Sequence, residues 1–156
     1  MYKLKGGYEM DFQIGTVKKT KGQVKKHASQ FTHKEVAQVY KARERVKDLW
    51  LKRGIKIGFH LQDKIRNGET KFSYEMTMKT MLNSTIVEYN ETGADKRILL
   101  RSHYAVNKEV QCIVVSLLSG KVITSYLNKV DDVHKTLDQR RYDKNLKINL
   151  PKHLTK

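Results

Sequence analysis

A β-hairpin is predicted by residues 110–128, which read VQCIVVSLL, then SG, then KVITSYLN. The first run is apolar on both of its alternating sides, which is typical of a central strand that is buried on both faces. The pair Ser119-Gly120 is a short polar link of the kind that joins antiparallel neighbours. We therefore expect an antiparallel sheet with residues 110–118 at its centre.

Two further strands are expected upstream of this hairpin. Thr85–Glu88 and Arg97–Tyr104 are also rich in β-branched and aromatic residues, and short polar links at 91–95 and 107–109 separate the runs. Four runs joined by such short links predict a four-stranded antiparallel meander.

Three helices are expected before these strands. Thr32-His33-Lys34-Glu35 has the form of a capping box, and Gly54 ends the amphipathic pattern that follows over residues 33–52. A shorter helix is expected over Ile55–Arg66, and a third over Tyr74–Leu82, which Ser73 can cap. The predicted class is α+β, with N-terminal helices packed on one face of the four-stranded sheet.

The length of 156 residues fits a single core. Residues 1–31 contain several lysines and glycines with little periodicity, which predicts a basic flexible arm or a loose hairpin. Lys18 and Lys19 lie in this arm, where they either contact phosphate or belong to a solvated tail. Residues 32–156 are expected to form the single α+β domain.

Several classes of protein are disfavoured by the composition. Cys112 is the only cysteine, which argues against a disulfide framework and against a cysteine-based zinc site. The longest apolar stretch is too short to cross a bilayer, and Met1–Phe12 lacks the apolar core of a signal peptide. The chain also lacks a Walker loop and a metal-binding motif, so we expect a cytoplasmic protein without metal or cofactor.

The positive charge of the chain indicates a polyanionic partner. Lys and Arg number 32 against 16 Asp and Glu, which gives a formal net charge of +16. Both ends and the interior segments 32–53 and 96–128 contribute to it, whereas residues 54–95 are close to neutral. Such a surface attracts nucleic acid over about 8 Å at physiological salt, and binding releases counterions. The alternative is a basic protein whose lysines only keep it dispersed.

Because side chains alternate along a strand, several polar side chains that could bind a phosphodiester are expected on one side of the sheet. Arg97, Leu99, Arg101 and His103 share one side of their strand. In the last strand, one side carries Val122, Thr124, Tyr126 and Asn128. If both rows lie on the face that the helices leave uncovered, they form a patch of cations and hydrogen-bond donors; an ordinary solvated sheet face is the alternative.

Histidines at two further positions are candidates for proton transfer. Cleavage of RNA without metal needs a base for the 2′-hydroxyl, an acid for the leaving oxygen and cations near the phosphate. His60 lies near the start of the second predicted helix, and His134 lies in a segment where Asp132 or Asp138 could orient it. Each of these histidines could equally be a surface or packing residue.

The motifs over residues 55–143 resemble the small ribonuclease toxins of the barnase–EndoU–colicin–RelE group, and most closely their colicin D-type and phage-borne relatives. The resemblance is carried by five segments: GFHL at 58–61, KIRNG at 64–68, RILLR at 97–101, CIVVSL at 112–117 and GKVITSYLN at 120–128. It also includes DVHKTLD at 132–138 and Tyr142-Asp143. This resemblance implies a metal-independent ribonuclease with an α+β fold, whose active site lies on the sheet face.

The same resemblance assigns roles to particular residues. The helix histidine of the group corresponds to His60, and the arginine that follows it to Lys64 or Arg66. The strand arginines correspond to Arg97 and Arg101, and the donors of the last strand to Thr124, Tyr126 and Asn128. The helix over 33–52 has no counterpart in the smallest toxins, and as an extension it could bind RNA, a ribosome or a protein partner.

The leading hypothesis is an endoribonuclease that cleaves tRNA or mRNA by attack of the 2′-hydroxyl, which leaves a 2′,3′-cyclic phosphate. In it, His60 or His134 is the general base, Arg97 and Arg101 bind the phosphate, and Thr124 and Tyr126 supply donors. The catalytic set is thus His60, Arg97, Arg101, Thr124, Tyr126 and His134, and the substrate-binding set is Lys64, Arg66, His103, Asn128, Lys18 and Lys19. A protein inhibitor would be a further partner of such an enzyme.

Two alternatives come from other functional classes. The first is a nucleic-acid-binding regulator without catalysis, of the kind that a phage encodes, which explains the charge equally well. The second is an inhibitor of a host protein, which would bind through a large apolar patch and with little dependence on salt.

Overall fold

The computed structural model describes residues 22–132 and 141–156. Its helices are α1 (His33–Arg53), α2 (Phe59–Arg66) and α3 (Tyr74–Leu82). Its strands are β1 (Gln23–His27), β2 (Lys56–Ile57), β3 (Ser84–Thr92), β4 (Asp95–Val106), β5 (Glu109–Ser116) and β6 (Lys121–Lys129). Lys18, Lys19 and His134 lie outside the described residues.

The described strands form one sheet in the order β1-β3-β4-β5-β6-β2. Neighbouring strands are antiparallel except β6 and β2, which run parallel. The α+β class is confirmed, and β5 lies in the interior of the sheet as predicted for residues 110–118. The four-stranded sheet is wrong, because β1 and β2 extend the meander to six strands in this part of the chain.

Strand β1 changes the predicted boundary of the domain. All five of its residues pair with β3, from Gln23 opposite Thr92 to His27 opposite Glu88. On the other side of β1, the backbone N–H of Asp143 donates to the carbonyl oxygen of Lys25 at 2.8 Å. Residues 23–27, which fall in the segment predicted as a flexible arm or a loose hairpin, therefore belong to the sheet.

Helix α1 begins and ends where its sequence signals predict. The Thr32 hydroxyl accepts from the backbone N–H of Glu35 at 3.1 Å, and the Glu35 carboxylate accepts from the N–H of Thr32 at 2.9 Å. Gly54 closes the helix at φ +87°, a conformation that favours glycine, and its N–H donates to the Trp50 carbonyl. In the described ranges, no helix has the length and apolarity needed to span a membrane.

Helix α2 starts later than predicted, because Lys56–Ile57 pairs with β6 instead of joining the helix. The backbone N–H of Gly58 donates to the Val122 carbonyl at 2.8 Å. A Cβ at residue 58 would lie 3.3 Å from that oxygen, so glycine permits the close approach. The expected helix over Ile55–Arg66 is thus wrong for its first four residues.

The sheet has two different faces. The main core is shared by helices α1, α2 and α3 and by residues 141–156, which we call the C-terminal segment. It includes Ile98, Leu100 and Ile113 of the sheet, on what we call the helical face. The opposite face carries Arg97, Leu99 and Arg101, and we call it the arginine face. It has a small apolar cluster of its own, formed by Val87, Leu99 and Cys112, with Val114 packed against it.

Candidate functional site on the arginine face

The register places four side chains in one row across the arginine face. Thr85 pairs with Arg101, Arg101 with Cys112, and Cys112 with Tyr126. Arg101 also donates to the Asn128 side chain at 3.2 Å, so the polar rows of β4 and β6 lie on the same face. Val122 does not join its predicted row, because an irregularity at Val114/Val115 turns it into the main core.

Arg101 is engaged by the end of strand β6. Its Nη2 donates to the backbone carbonyl oxygens of Lys129 at 3.0 Å and Val130 at 3.3 Å. Backbone carbonyls at a strand end would otherwise need water or another donor. The guanidinium therefore fastens β6 to β4, and a phosphate would have to compete with these bonds.

Arg97 lies at the other end of β4. Its Nε donates to Asp95 Oδ2 at 2.7 Å, while Asp95 Oδ1 accepts from the Ser116 hydroxyl at 2.8 Å. Four residues of extended strand separate Arg97 from Arg101, which places their Cα atoms about 13 Å apart. The two guanidinium groups are thus held by different partners, and their contact with one phosphate stays a prediction.

His103 is held between two hydrogen-bond partners. Its Nδ1 lies 3.0 Å from Asn83 Oδ1, and its Nε2 lies 2.9 Å from the Thr85 hydroxyl oxygen. An amide oxygen can only accept, so Nδ1 carries a proton, and in the neutral ring Nε2 then accepts from Thr85. The Asn83 amide nitrogen faces the Tyr104 hydroxyl at 3.4 Å, which agrees with this orientation.

Thr85, His103 and Asn83 are thus connected in the order hydroxyl, imidazole, amide. The same order is found where a base accepts a proton from a hydroxyl and a third group orients the base. His103 was selected from its place beside the arginines, but Asn83 and Thr85 were missed. Thr85 was visible as a polar residue at the start of a predicted strand. Asn83 lies in the link after α3, where the sequence carries no signal for its partner.

Tyr126 lies beside Cys112 at the next position of the row. Burial, together with the neighbouring Cys112, raises the pKa of the Tyr126 phenol above its ordinary value. The phenol therefore stays protonated at neutral pH and can donate a hydrogen bond. Thr124 pairs with Val114 and is half-buried, and it lies two residues from Tyr126 on the same strand.

The middle of the arginine face is covered. The Tyr142 hydroxyl donates to Glu88 Oε1 at 2.7 Å, and the Lys25 ammonium lies 3.3 Å from Glu88 Oε2. Leu99 is only 5% exposed. The expected uncovered face is thus wrong at its centre, where the C-terminal segment reaches over the sheet.

The candidates on α2 belong to the other layer of the molecule. Leu61 of this helix packs in the main core, so His60, Lys64 and Arg66 lie on the helical side of the sheet. His60 is exposed, and Arg66 pairs with Asp63 at 2.6 Å. The predicted grouping of His60 with Arg97 and Arg101 is therefore not formed.

A scan against protein-family models found no match, and searches of the curated proteins and of the solved structures found none either. The resemblance to ribonuclease toxins thus stays a prediction from the motifs.

Proposed function

We propose that the protein binds nucleic acid through the phosphate backbone, as a binding protein that needs no catalysis. The observation that carries this proposal is the excess of 32 basic over 16 acidic side chains. A surface with this excess attracts a polyanion, and each phosphate that it neutralises releases condensed counterions.

Internal ion pairs already neutralise part of the acidic side chains. Glu35 pairs with Lys26, Glu88 with Lys25, Glu91 with Lys96 and Asp95 with Arg97. Exposed lysines that form no ion pair with another described residue include Lys34, Lys41, Lys52, Lys56, Lys64 and Lys71. The cationic excess therefore lies at the surface, where a polyanion can reach it.

Fluorescence anisotropy with labelled single-stranded RNA, single-stranded DNA and duplex DNA tests this function over a series of salt concentrations. We expect binding at low salt, with the logarithm of the affinity falling linearly with the logarithm of salt, by about 0.7 per phosphate on a single strand. Absence of binding at low salt, or an affinity that does not change with salt, would refute the proposal.

We propose metal-independent cleavage of RNA as a second candidate function, because Asn83 and Thr85 hold His103 in the geometry of a general base. A ribose 2′-hydroxyl replaces the Thr85 hydroxyl and gives its proton to Nε2. The 2′-oxygen then bonds to phosphorus as the P–O5′ bond breaks, and O5′ takes a proton from solvent. The products from tRNA or mRNA are a 2′,3′-cyclic phosphate and a 5′-hydroxyl.

Cleavage of labelled tRNA and mRNA in the presence of EDTA tests this second function. We expect cleavage to persist in the chelator and to fall by roughly a hundredfold or more in His103→Gln. His60→Gln and His134→Gln are the comparison variants, since the sequence selects both as bases. Loss of cleavage on adding EDTA, or full activity of His103→Gln, would exclude His103 as the base of a metal-free reaction.

A further inference from the structure

Four basic residues of α1 lie along one line of the helix. Lys34, Lys41, Arg45 and Lys52 follow one another at steps of seven, four and seven residues. At about 100° per residue these steps keep them within an arc of about 40°, and the line is about 27 Å long. The sequence pattern of a single helix thus creates an extended cationic stripe, which we call the α1 stripe.

The stripe lies on the solvent side of the helix. The buried residues Val39, Ala42, Val46 and Trp50 form a separate stripe that faces the main core. Lys34, Lys41 and Lys52 are exposed, and Arg45 is half-buried. A ligand can therefore reach the α1 stripe without any change in the packing of α1.

Acidic neighbours leave the stripe with a net positive charge. Glu44 and Asp48 lie beside it on the helix, but Lys47 lies 2.7 Å from the Glu44 carboxylate and 4.0 Å from that of Asp48. None of the four stripe residues forms an ion pair with any other residue of the described ranges. Their charges remain available to an anion.

The C-terminal segment adds a cation to the same surface. The Gln38 side chain donates to the Ile148 carbonyl at 3.1 Å and accepts from the Leu150 N–H at 2.9 Å, which fixes the segment along α1. Leu154 is buried in the main core. A groove of about 420 Å³ lies on this surface, and its charged lining consists of the cations Lys41, Arg45, Lys52 and Lys156 and the carboxylates Glu44 and Asp48.

We propose that the groove along the α1 stripe binds the sugar–phosphate backbone of a nucleic acid without reading its sequence, an inference that rests on the proposed nucleic-acid-binding function. Three of the four stripe residues are lysines, whose flexible point charges suit phosphate contacts, and phosphate contacts position a backbone without carrying sequence information. Tyr40 also lines the groove, but the Arg43 guanidinium already lies 4.8 Å from the centre of its ring. Stacking of bases on that side of the ring is therefore disfavoured.

A fourfold variant tests this inference: Lys34→Gln, Lys41→Gln, Arg45→Gln and Lys52→Gln. The matched control removes the same charge elsewhere: Lys79→Gln, Lys108→Gln, Lys121→Gln and Lys144→Gln, all exposed and without ion pairs in the described part of the chain. Anisotropy is measured with single-stranded RNA, duplex RNA and duplex DNA of two unrelated sequences. Thermal unfolding checks that each variant is folded. If the fourfold stripe variant is unfolded, a threefold variant that retains Arg45 replaces it.

We expect the stripe variant to bind roughly tenfold to a hundredfold more weakly, equally for both sequences, with a salt slope that is smaller by about 3. The control should keep its affinity to within about threefold and lose less than about 1 from the slope. The comparison of strands and duplexes identifies which backbone the groove accepts.

Two results would overturn the inference and leave the proposed function intact. Equal losses in both variants would mean that the charge acts diffusely over the surface. A loss confined to the control would place the interface away from α1. If the unmodified protein binds none of the probes at low salt, the proposed function itself fails, and the inference fails with it.

Discussion

The Lys26 ammonium lies 2.7 Å from Oε1 of Glu35, and the two residues are only 3% and 6% exposed. Lys26 also donates to the Leu146 carbonyl at 2.8 Å, and Glu35 Oε2 accepts from the backbone N–H of Ile148 at 2.8 Å. The pair therefore joins β1, the start of α1 and the C-terminal segment at one buried point.

Glu35→Gln is expected to destabilise the protein strongly. The substitution keeps the shape of the side chain but leaves the Lys26 ammonium buried without a counter-charge, which costs about 3–5 kcal/mol. Urea unfolding followed by circular dichroism measures the change in the free energy of unfolding. Glu44→Gln is the matched control, because it breaks a Lys–Glu pair of the same length on the exposed side of the same helix and should change little.

Replacing both partners should be less harmful than removing one. In Lys26→Met/Glu35→Leu, no charge remains buried, so we expect the double variant to be more stable than Glu35→Gln. It still loses the acceptors of the Thr32 and Ile148 N–H groups. A double variant that is less stable than Glu35→Gln would mean that these backbone bonds matter more than the charges.

Acid should remove the contribution of Glu35. Burial raises the pKa of its carboxyl, but the hydrogen bonds from Lys26, Ile148 and Thr32 outweigh burial, so the net pKa lies below the ordinary value of 4.5. A lowered pKa stabilises the fold above the unfolded-state value, and this stabilisation is lost as the pH falls through the folded-state value. The difference in unfolding free energy between the wild type and Glu35→Gln should therefore shrink from neutral pH to acid pH. A constant difference would contradict the assignment.

Local signals predicted much of the fold. The capping box at Thr32 and Glu35 and the glycine at 54 placed α1, and α3 has the predicted bounds. Strand β1 was missed because QVKKH contains a single large apolar residue and no clear alternation. Its extended conformation depends on pairing with β3 and on the buried Lys26–Glu35 contact, which join residues that are distant in sequence.

The candidate site could be predicted only in part, for a related reason. Alternation correctly placed Arg97 and Arg101 on one face, since side-chain direction along a strand is a local property. It carries no information about which face a helix covers, so His60 was grouped with residues of the opposite layer. The contact of Arg101 with the Lys129 carbonyl depends likewise on the register between strands.

Arg101→Ala is expected to lower the free energy of unfolding, because the end of β6 is no longer fastened to β4. Its affinity for nucleic acid is expected to change little. The substitution removes the hydrogen bonds to Asn128, Lys129 and Val130, each of which contributes about 0.5–1.5 kcal/mol. Urea unfolding and anisotropy are measured together, below the unfolding temperature of the variant. Unchanged stability with lost binding would instead favour the phosphate contact predicted from the sequence.

Cys112 provides a probe of the same contact from the other side of the row. The residue is 0% exposed, and burial raises the pKa of its thiol, although the neighbouring Arg101 guanidinium acts in the opposite direction. Only the thiolate reacts quickly with a disulfide reagent such as DTNB, so the folded protein should be labelled slowly.

In Arg101→Ala the labelling rate should rise well below the unfolding transition, because β6 can then separate from β5 without global unfolding. In Glu35→Gln the rate should rise only in proportion to the unfolded population, since the Lys26–Glu35 pair lies away from this row. Rapid labelling of the unmodified protein would show that the Arg101 contacts do not hold β6 closed.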